Sequence, residues 1–303
     1  MDIDLKGVIP PLVTPVDDTG EIDRASLEKL VAFQLDAGVD GVFLGGSTGE
    51  VALLDSRRQA EALDIAVKAV AGAVPVLAGA IDTGTARVVE RARQSVAQGA
   101  DAVVVTTPFY VKPNDAEIAE HFRNVAAAVD APVIGYDIPG AAGSRLSPDV
   151  VAGLAESGTI AALKDSSGDL VTFREIVRRL PDFPVLTGSE LLADVAMDLG
   201  ACGLVPGLGN IDPHGYLRLY YAAWNGDRAT ARAEQERLLD LFRIISVADR
   251  GRVGFTSGAL GSFKAALALR GVIANPATNP PLSPLTGAET QRIAEILAEA
   301  GLQ

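Results

Sequence analysis

The sequence predicts an α/β protein, a (β/α)8 barrel of the TIM type with a C-terminal helical extension. Three observations carry that prediction. A unit recurs in which an amphipathic stretch closes at a glycine and a short apolar run starts within a few residues. About eight such runs lie between "GVIPPLV" and "CGLVPG", the number a closed parallel barrel needs. Beyond residue 210 the runs stop and the chain reads as helices alone.

The units are clearest at "AGVDGVFL", "QGADAVVV", "SGTIAALK" and "LGACGLV", with closing glycines Gly38, Gly99, Gly158 and Gly200. Glycine just past a helix end takes the left-handed conformation that closes it. The runs that follow are rich in Val, Leu and Ala, as strands buried on both faces are. Further runs appear at "VPVLAGA", "APVIGYD" and "FPVLTG". Helix starts are marked between them. Ser147 is an N-cap with Pro148 at the first helical position, and Asn114 to Glu117 reads as a capping box. The units repeat in structure without repeating in sequence, which argues against a solenoid. Residues 1–210 are read as the barrel carrying the active site. Residues 211–303 are read as helices packed on it in the same structural unit, with "NPATNPPLSPLTG" as a loop.

Composition narrows the function. Apolar residues make up 48% and charged residues 21%, which places the chain among soluble globular proteins. The formal net charge of −13 argues against nucleic acid and anionic membrane as partners. An anionic substrate must therefore be held by local donors. One cysteine, Cys202, allows neither an internal disulfide nor a cysteine metal cage. The acidic start "MDIDLKG" does not read as a signal peptide, and no apolar run nears the roughly 20 residues of a membrane helix. A cytoplasmic location is expected.

In such barrels the chemistry sits at the C-terminal ends of the strands. There the sequence offers "GGSTGE", "TTPFY", Tyr136, Lys164, "TGSE" and "PGLGN". Glu190 is read as the only carboxylate at a strand end. His121 and His214 are read as partly exposed residues of helix or loop, and no spacing suggests a metal site or a bound cofactor. "GLGNID" fails the dinucleotide pattern, and "GGSTGE" lacks the lysine of a P-loop. The latter remains an anion cradle, with small residues exposing backbone N–H groups and Ser47 and Thr48 adding hydroxyls. Lys164 ends an apolar run, where desolvation disfavours its charged form. A neutral amine attacks ketones, and the resulting imine draws electrons from the adjacent carbon. Lys164 could instead pair with Asp165 or reach solvent. Tyr136 ends the preceding strand and would stand beside Lys164 as a proton carrier.

These motifs, in this order, resemble the dihydrodipicolinate synthase/N-acetylneuraminate lyase family of pyruvate-dependent class I aldolases, along essentially the whole chain. "GGSTGE" looks like its carboxylate-binding motif, "GYDIPG" its tyrosine motif, "ALKDSSGD" its Schiff-base motif and "TTPFYVKP" its fourth-strand motif. The resemblance implies that Lys164 forms an imine with pyruvate or another 2-oxo acid and that Tyr136 passes protons. It implies that Ser47 and Thr48, with the Gly46 backbone, hold the carboxylate. Tyr110 would complete a hydroxyl relay from a neighbouring subunit of a homotetramer, a dimer of dimers. Ser166, Gly188 and Glu190 are expected to line the substrate site; Glu190 also reads as a first-turn helix carboxylate. One departure stands out. Ala141 occupies the position where the family's dihydrodipicolinate synthases carry a substrate-binding arginine, and Arg145 lies four residues on. That weighs against aspartate semialdehyde as the aldehyde and favours a 2-oxo acid or 2-keto-3-deoxy sugar-acid aldolase. A non-catalytic pyruvate sensor on the same barrel is the reading from another class.

Overall fold

Eight short parallel strands close into a barrel in the computed structural model, which describes residues 5–302. The acidic start, at residues 1–4, lies outside the described residues. The strands are β1 (Gly7–Val8), β2 (Val42–Leu44), β3 (Val76–Gly79), β4 (Ala102–Thr106), β5 (Val133–Asp137), β6 (Ala162–Asp165), β7 (Val185–Thr187) and β8 (Gly203–Leu204). From β2 to β8 each pairs with its sequence neighbours, and β8 pairs with β1. The last seam closes just past β1. There the Phe43 N–H donates to the Pro10 carbonyl at 3.0 Å, and the Leu12 N–H donates to the Phe43 carbonyl at 2.8 Å.

Because side chains alternate along a strand, a closed parallel barrel builds two cores. Ile134 and Tyr136 of β5, Ala162 of β6 and Leu186 of β7 face inward with Phe43 and Val104. Val133, Leu163 and Val185 face outward and pack under the helices. The helix-closing glycines behave as the sequence predicts. Gly38, Gly99, Gly158 and Gly200 have φ of 87°, 99°, 68° and 106°. The caps do too. Asn114 and Glu117 form a reciprocal capping box, and Ser147 Oγ accepts the Val150 N–H. Among the described residues no helix is long and apolar enough to cross a membrane.

After β8 the chain runs through helices Pro213–Trp224, Arg228–Phe242, Phe255–Leu269 and Gly287–Glu299. The first packs against β1, β8 and helix Arg24–Ala37, so residues beyond 210 complete the barrel's helical ring. The others share the barrel's outer core. A buried ion pair bolts them on. Glu50, ending "GGSTGE", pairs with Lys264 of helix Phe255–Leu269, and both side chains are fully buried. Glu50 Oε2 also accepts the Asn279 backbone N–H (2.7 Å) and side-chain amide (2.9 Å). Lys264 Nζ donates to the Ala277 carbonyl at 2.7 Å. Burial pulls the Lys264 ammonium below its usual pKa, with Glu50 opposing that shift.

One expectation is corrected here. His121 is not partly exposed. It lies on the inward face of helix Asp115–Ala126 with 3% of its surface accessible, edge-on to Phe122 and 2.9 Å from Thr85 Oγ1. The helix-to-helix packing that buries it is not visible in local pattern. His214 is exposed as expected. Burial pushes the His121 pKa down to about 4, so the folded state binds its proton later than the unfolded chain does. The stability tied to the neutral ring is complete above about pH 6.5 and is lost as pH falls toward 4. Chemical denaturation of wild type and His121→Gln across that window should show wild type losing about 3 kcal/mol relative to the variant. Parallel pH curves would contradict it.

Candidate active site

The strand register sets the centre of the site. Tyr136 of β5 pairs with Lys164 of β6, and Asp137 with Asp165. Alternation then turns Tyr136 and Lys164 into the barrel and the two aspartates outward. Lys164 is 5% exposed, with Nζ 4.0 Å from the Tyr136 ring centroid and 4.9 Å from that of Phe43. Phe43 stands edge-on to Tyr136 at 6.5 Å, walling the pair from below. The amine is thus packed against two aromatic rings. The alternative pairing of Lys164 with Asp165 fails on geometry. Asp165 Oδ1 instead accepts the Ser167 N–H and hydroxyl, each at 2.7 Å.

Asp137 and Asp165 also correct the reading of Glu190 as the sole strand-end carboxylate. Both lie within strands, in sequence directly after the residues that mattered. Burial raises the pKa of each. Asp137 accepts the Leu146 N–H at 3.0 Å and an Arg145 N–H at 3.3 Å, and Arg145 donates its other terminal nitrogen to Asp169 at 2.9 Å. Arg145 is thus held on the outer side of the β5–β6 rim and does not line the cavity.

The cavity at the mouth has a volume of about 530 Å³. Ser47, Thr48, Tyr136 and Lys164 line it, as do Ser166, Gly188 and Glu190. Gly46 stands behind it, where a β-carbon would press to 2.7 Å from the Phe43 ring. A β-carbon on Gly188 would collide with Ser166 Oγ and reach 2.9 Å from Lys164 Cε. Tyr110 is the predicted residue that the fold does not bring in. It sits on the loop after β4 with φ of 71° and 95% exposure.

Glu190 is not in the first turn of a helix, because the next helix, Ala193–Asp198, starts three residues later. Its Oε1 accepts the Leu208 N–H at 2.6 Å. The residue keeps part of its surface, but its carboxyl is enclosed, and burial raises its pKa to about 7 against the pull of that N–H and of Lys164. Sequence reading missed Gly207, although "PGLGN" marked its strand end. A β-carbon there would come 3.0 Å from Glu190 Oε1 and 3.3 Å from Thr48 Oγ1, so glycine lets these groups approach. It also missed the extension's part of the wall, chiefly Phe242, Phe255, Leu260 and Phe263. They fall in or beside segments read only as helices packed on the barrel.

The family model for the dihydrodipicolinate synthetase family matches residues 4–300. An uncharacterised DapA-like lyase of Halobacterium salinarum is 37% identical over 298 residues, 98% of this chain and 95% of that one. A 4-hydroxy-tetrahydrodipicolinate synthase of Methanococcoides burtonii is 34% identical over 98% of each chain. Among solved structures, YagE, a prophage protein of the dihydrodipicolinic acid synthase family from E. coli K12 in complex with pyruvate, superposes with a TM-score of 0.92. It is 28% identical and is covered over its whole length by 99% of this chain. The chain belongs to the dihydrodipicolinate synthase/N-acetylneuraminate lyase family and is an enzyme of its lyase class, the pyruvate-dependent class I aldolases.

The Glu190 shift has a measurable consequence. A carboxyl whose folded pKa lies above its unfolded value favours folding fully below about pH 4.5, and that contribution is lost as pH rises through about 7. Glu190→Gln should therefore gain stability on wild type as pH rises across that interval, read as a pH-dependent difference in denaturation midpoint. A constant difference would show that the carboxyl titrates normally.

Proposed function

We propose that this enzyme joins or separates pyruvate and an aldehyde through a Schiff base on Lys164. The observation that carries the reading is the β5–β6 register, which stands the Lys164 amine against the Tyr136 ring in a buried pocket. Neutral Lys164 attacks the keto carbon, and the carbinolamine loses water to give the imine. The protonated imine then accepts the electron pair released when C3 is deprotonated or when the C3–C4 bond breaks. The Tyr136 phenol carries the proton to and from the carbinolamine and the aldehyde oxygen. Ser47 and Thr48 hold the carboxylate with hydroxyl and backbone donors, which matters in a chain of net charge −13. Tyr110 joins the proton relay from a neighbouring copy, in the homotetramer that the family resemblance implies. The lone cysteine suits a reducing cytoplasm.

The name of the Methanococcoides relative favours a second reading, synthesis of 4-hydroxy-tetrahydrodipicolinate from pyruvate and aspartate semialdehyde. Two features weigh against it. Ala141 lines the cavity where a guanidinium would be needed, and Arg145 is committed to Asp137 and Asp169. A methyl group does not replace a bidentate contact to a carboxylate.

Borohydride reduction with pyruvate should leave a covalent adduct on Lys164, located by mass spectrometry. Lys164→Arg should leave none, because a guanidinium does not form the imine. Tyr136→Phe should trap pyruvate and turn over roughly 10² to 10⁴ times more slowly. Gly188→Ala should keep the fold while displacing the lysine stem, lowering trapping by about tenfold or more. An adduct on another lysine would sink the assignment.

A further inference from the structure

The sheet carries two buried carboxyls on the side that Tyr136 and Lys164 do not face. Asp137 and Asp165 are paired in register on β5 and β6, with 2% and 3% of their surfaces exposed. Their surroundings are unequal. Asp137 has the Leu146 N–H on one oxygen and Arg145 on the other. Asp165 has the Ser167 donors on Oδ1, while its Oδ2 is enclosed and, among the described residues, has no hydrogen-bond partner. Thr187, the β7 residue in register with Asp165, adds no charge. Arg145 bridges Asp137 and Asp169 and, among the described residues, makes no ion pair with Asp165. We propose that Asp165 is a positioning residue for Lys164 that works as a neutral carboxylic acid, leaving the pair with one negative charge, on Asp137. This rests on the Schiff-base reading and adds a residue to it.

One cation serves three carboxyls. Asp169 stays ionised, held well below the ordinary carboxylate range by the Thr172 hydroxyl and then by Arg145. Asp137 takes the other terminal nitrogen of the same guanidinium. A third charge, on Asp165, would be buried beside a like charge with no donor to Oδ2. Burial accordingly raises the Asp165 pKa, and the Asp137 charge adds to that against the Ser167 donors. The link to the cavity runs through the backbone. The Asp137 carbonyl accepts the Ser166 N–H at 2.9 Å, and the Asp165 carbonyl accepts the Gly188 N–H at 2.7 Å. Ser166 and Gly188 both line the cavity. Little slack separates them, since a β-carbon on Gly188 would meet Ser166 Oγ and the Lys164 stem. Repulsion between two ionised aspartates would part the strands at this rim and move the lysine, and a proton on Asp165 removes that repulsion.

The test uses the full-length enzyme with pyruvate alone. Borohydride trapping locates the adduct. Exchange of the pyruvate methyl protons for deuterium measures enamine formation, as a maximal rate and a half-saturating concentration. Asp165→Ala removes the acid and the acceptor for Ser167. It should lower the maximal exchange rate by about tenfold or more, with a smaller change in the half-saturating concentration. Asp165→Asn keeps the shape and the acceptor of the neutral acid and should restore most of that rate. A carboxyl with a raised folded pKa supports folding fully below its ordinary value of 3.8, and that support is lost as pH rises through the folded value. Wild type should therefore lose both exchange rate and stability relative to Asp165→Asn as pH rises. The infrared carbonyl band of protonated carboxyls at neutral pH should lose intensity in that variant. Asp137→Asn removes the neighbouring charge and should shift the titration of that band to lower pH, which keeps the test open if the Asp165 variants do not fold. Three results overturn this inference while a pyruvate adduct on Lys164 leaves the Schiff-base reading standing: Asp165→Asn as slow as Asp165→Ala, parallel pH profiles of wild type and Asp165→Asn, or an infrared band that neither substitution changes. Absence of any adduct in wild type overturns both.

Discussion

The pairing of Tyr136 with Lys164 across β5 and β6 is the constraint on which the rest of the site depends. Strand side chains alternate with a period of two, so a slip of one residue would turn Lys164 out under the helices and bring Asp165 into the cavity. The barrel resists that slip from both sides at once. Ala162 and Leu163, adjacent in β6, belong to the inner and outer cores respectively. Either displaced residue would meet packing built for the other. The two strand-end aspartates add polar pins on the outer face. Asp137 holds the Leu146 N–H and Arg145, and Asp165 holds the turn at Ser167. The pose of the lysine is thus set by hydrogen bonds made on the side of the sheet it does not face.

The extension is tied to the same centre by charge. Glu50 follows Ser47 and Thr48 by three and two residues, with a left-handed φ of 60°, and its carboxylate meets Lys264 and Asn279. A fully buried pair of this kind contributes little net stability against a hydrophobic replacement, yet removing one partner strands a charge in the interior. Its value here is geometric. The loop proposed to hold the substrate carboxylate and the helix that supplies Leu260 and Phe263 to the opposite wall are fixed to one another through it. Neither wall of the cavity can move without disturbing the ion pair.

Much of this was legible in the sequence, for physical reasons that differ by element. The strands announced themselves because burial on both faces demands unbroken apolar runs, and the helix ends because a left-handed cap selects glycine. Lys164 and Tyr136 were visible as polar residues terminating such runs. Asp137 and Asp165 were hidden in plain sight, one residue further on, since an outward strand position reads like a loop start. His121 escaped because its burial comes from a neighbouring helix, and the sequence around it shows only an amphipathic pattern. The apolar far wall escaped for a similar reason. Phe242, Leu260 and Phe263 have helical spacing, and nothing local separates a side chain facing a core from one facing a cavity. Tyr110 shows the opposite limit, because its expected role lies beyond a single chain.

The site's chemistry follows from where positive charge is left over. The protein has thirteen more acidic than basic side chains, and its arginines are mostly engaged by that excess, as Arg145, Arg91 and Arg237 are at buried carboxylates. Inside the mouth one lysine, Lys164, lines the cavity, and it is the group proposed to react. The proposed recognition of the first substrate's carboxylate rests on neutral donors, the hydroxyls and N–H groups around Ser47 and Thr48, which are short-ranged and demand close approach. The glycines at 46, 188 and 207 permit that approach, since each would otherwise place a β-carbon against a ring, the lysine stem or Glu190.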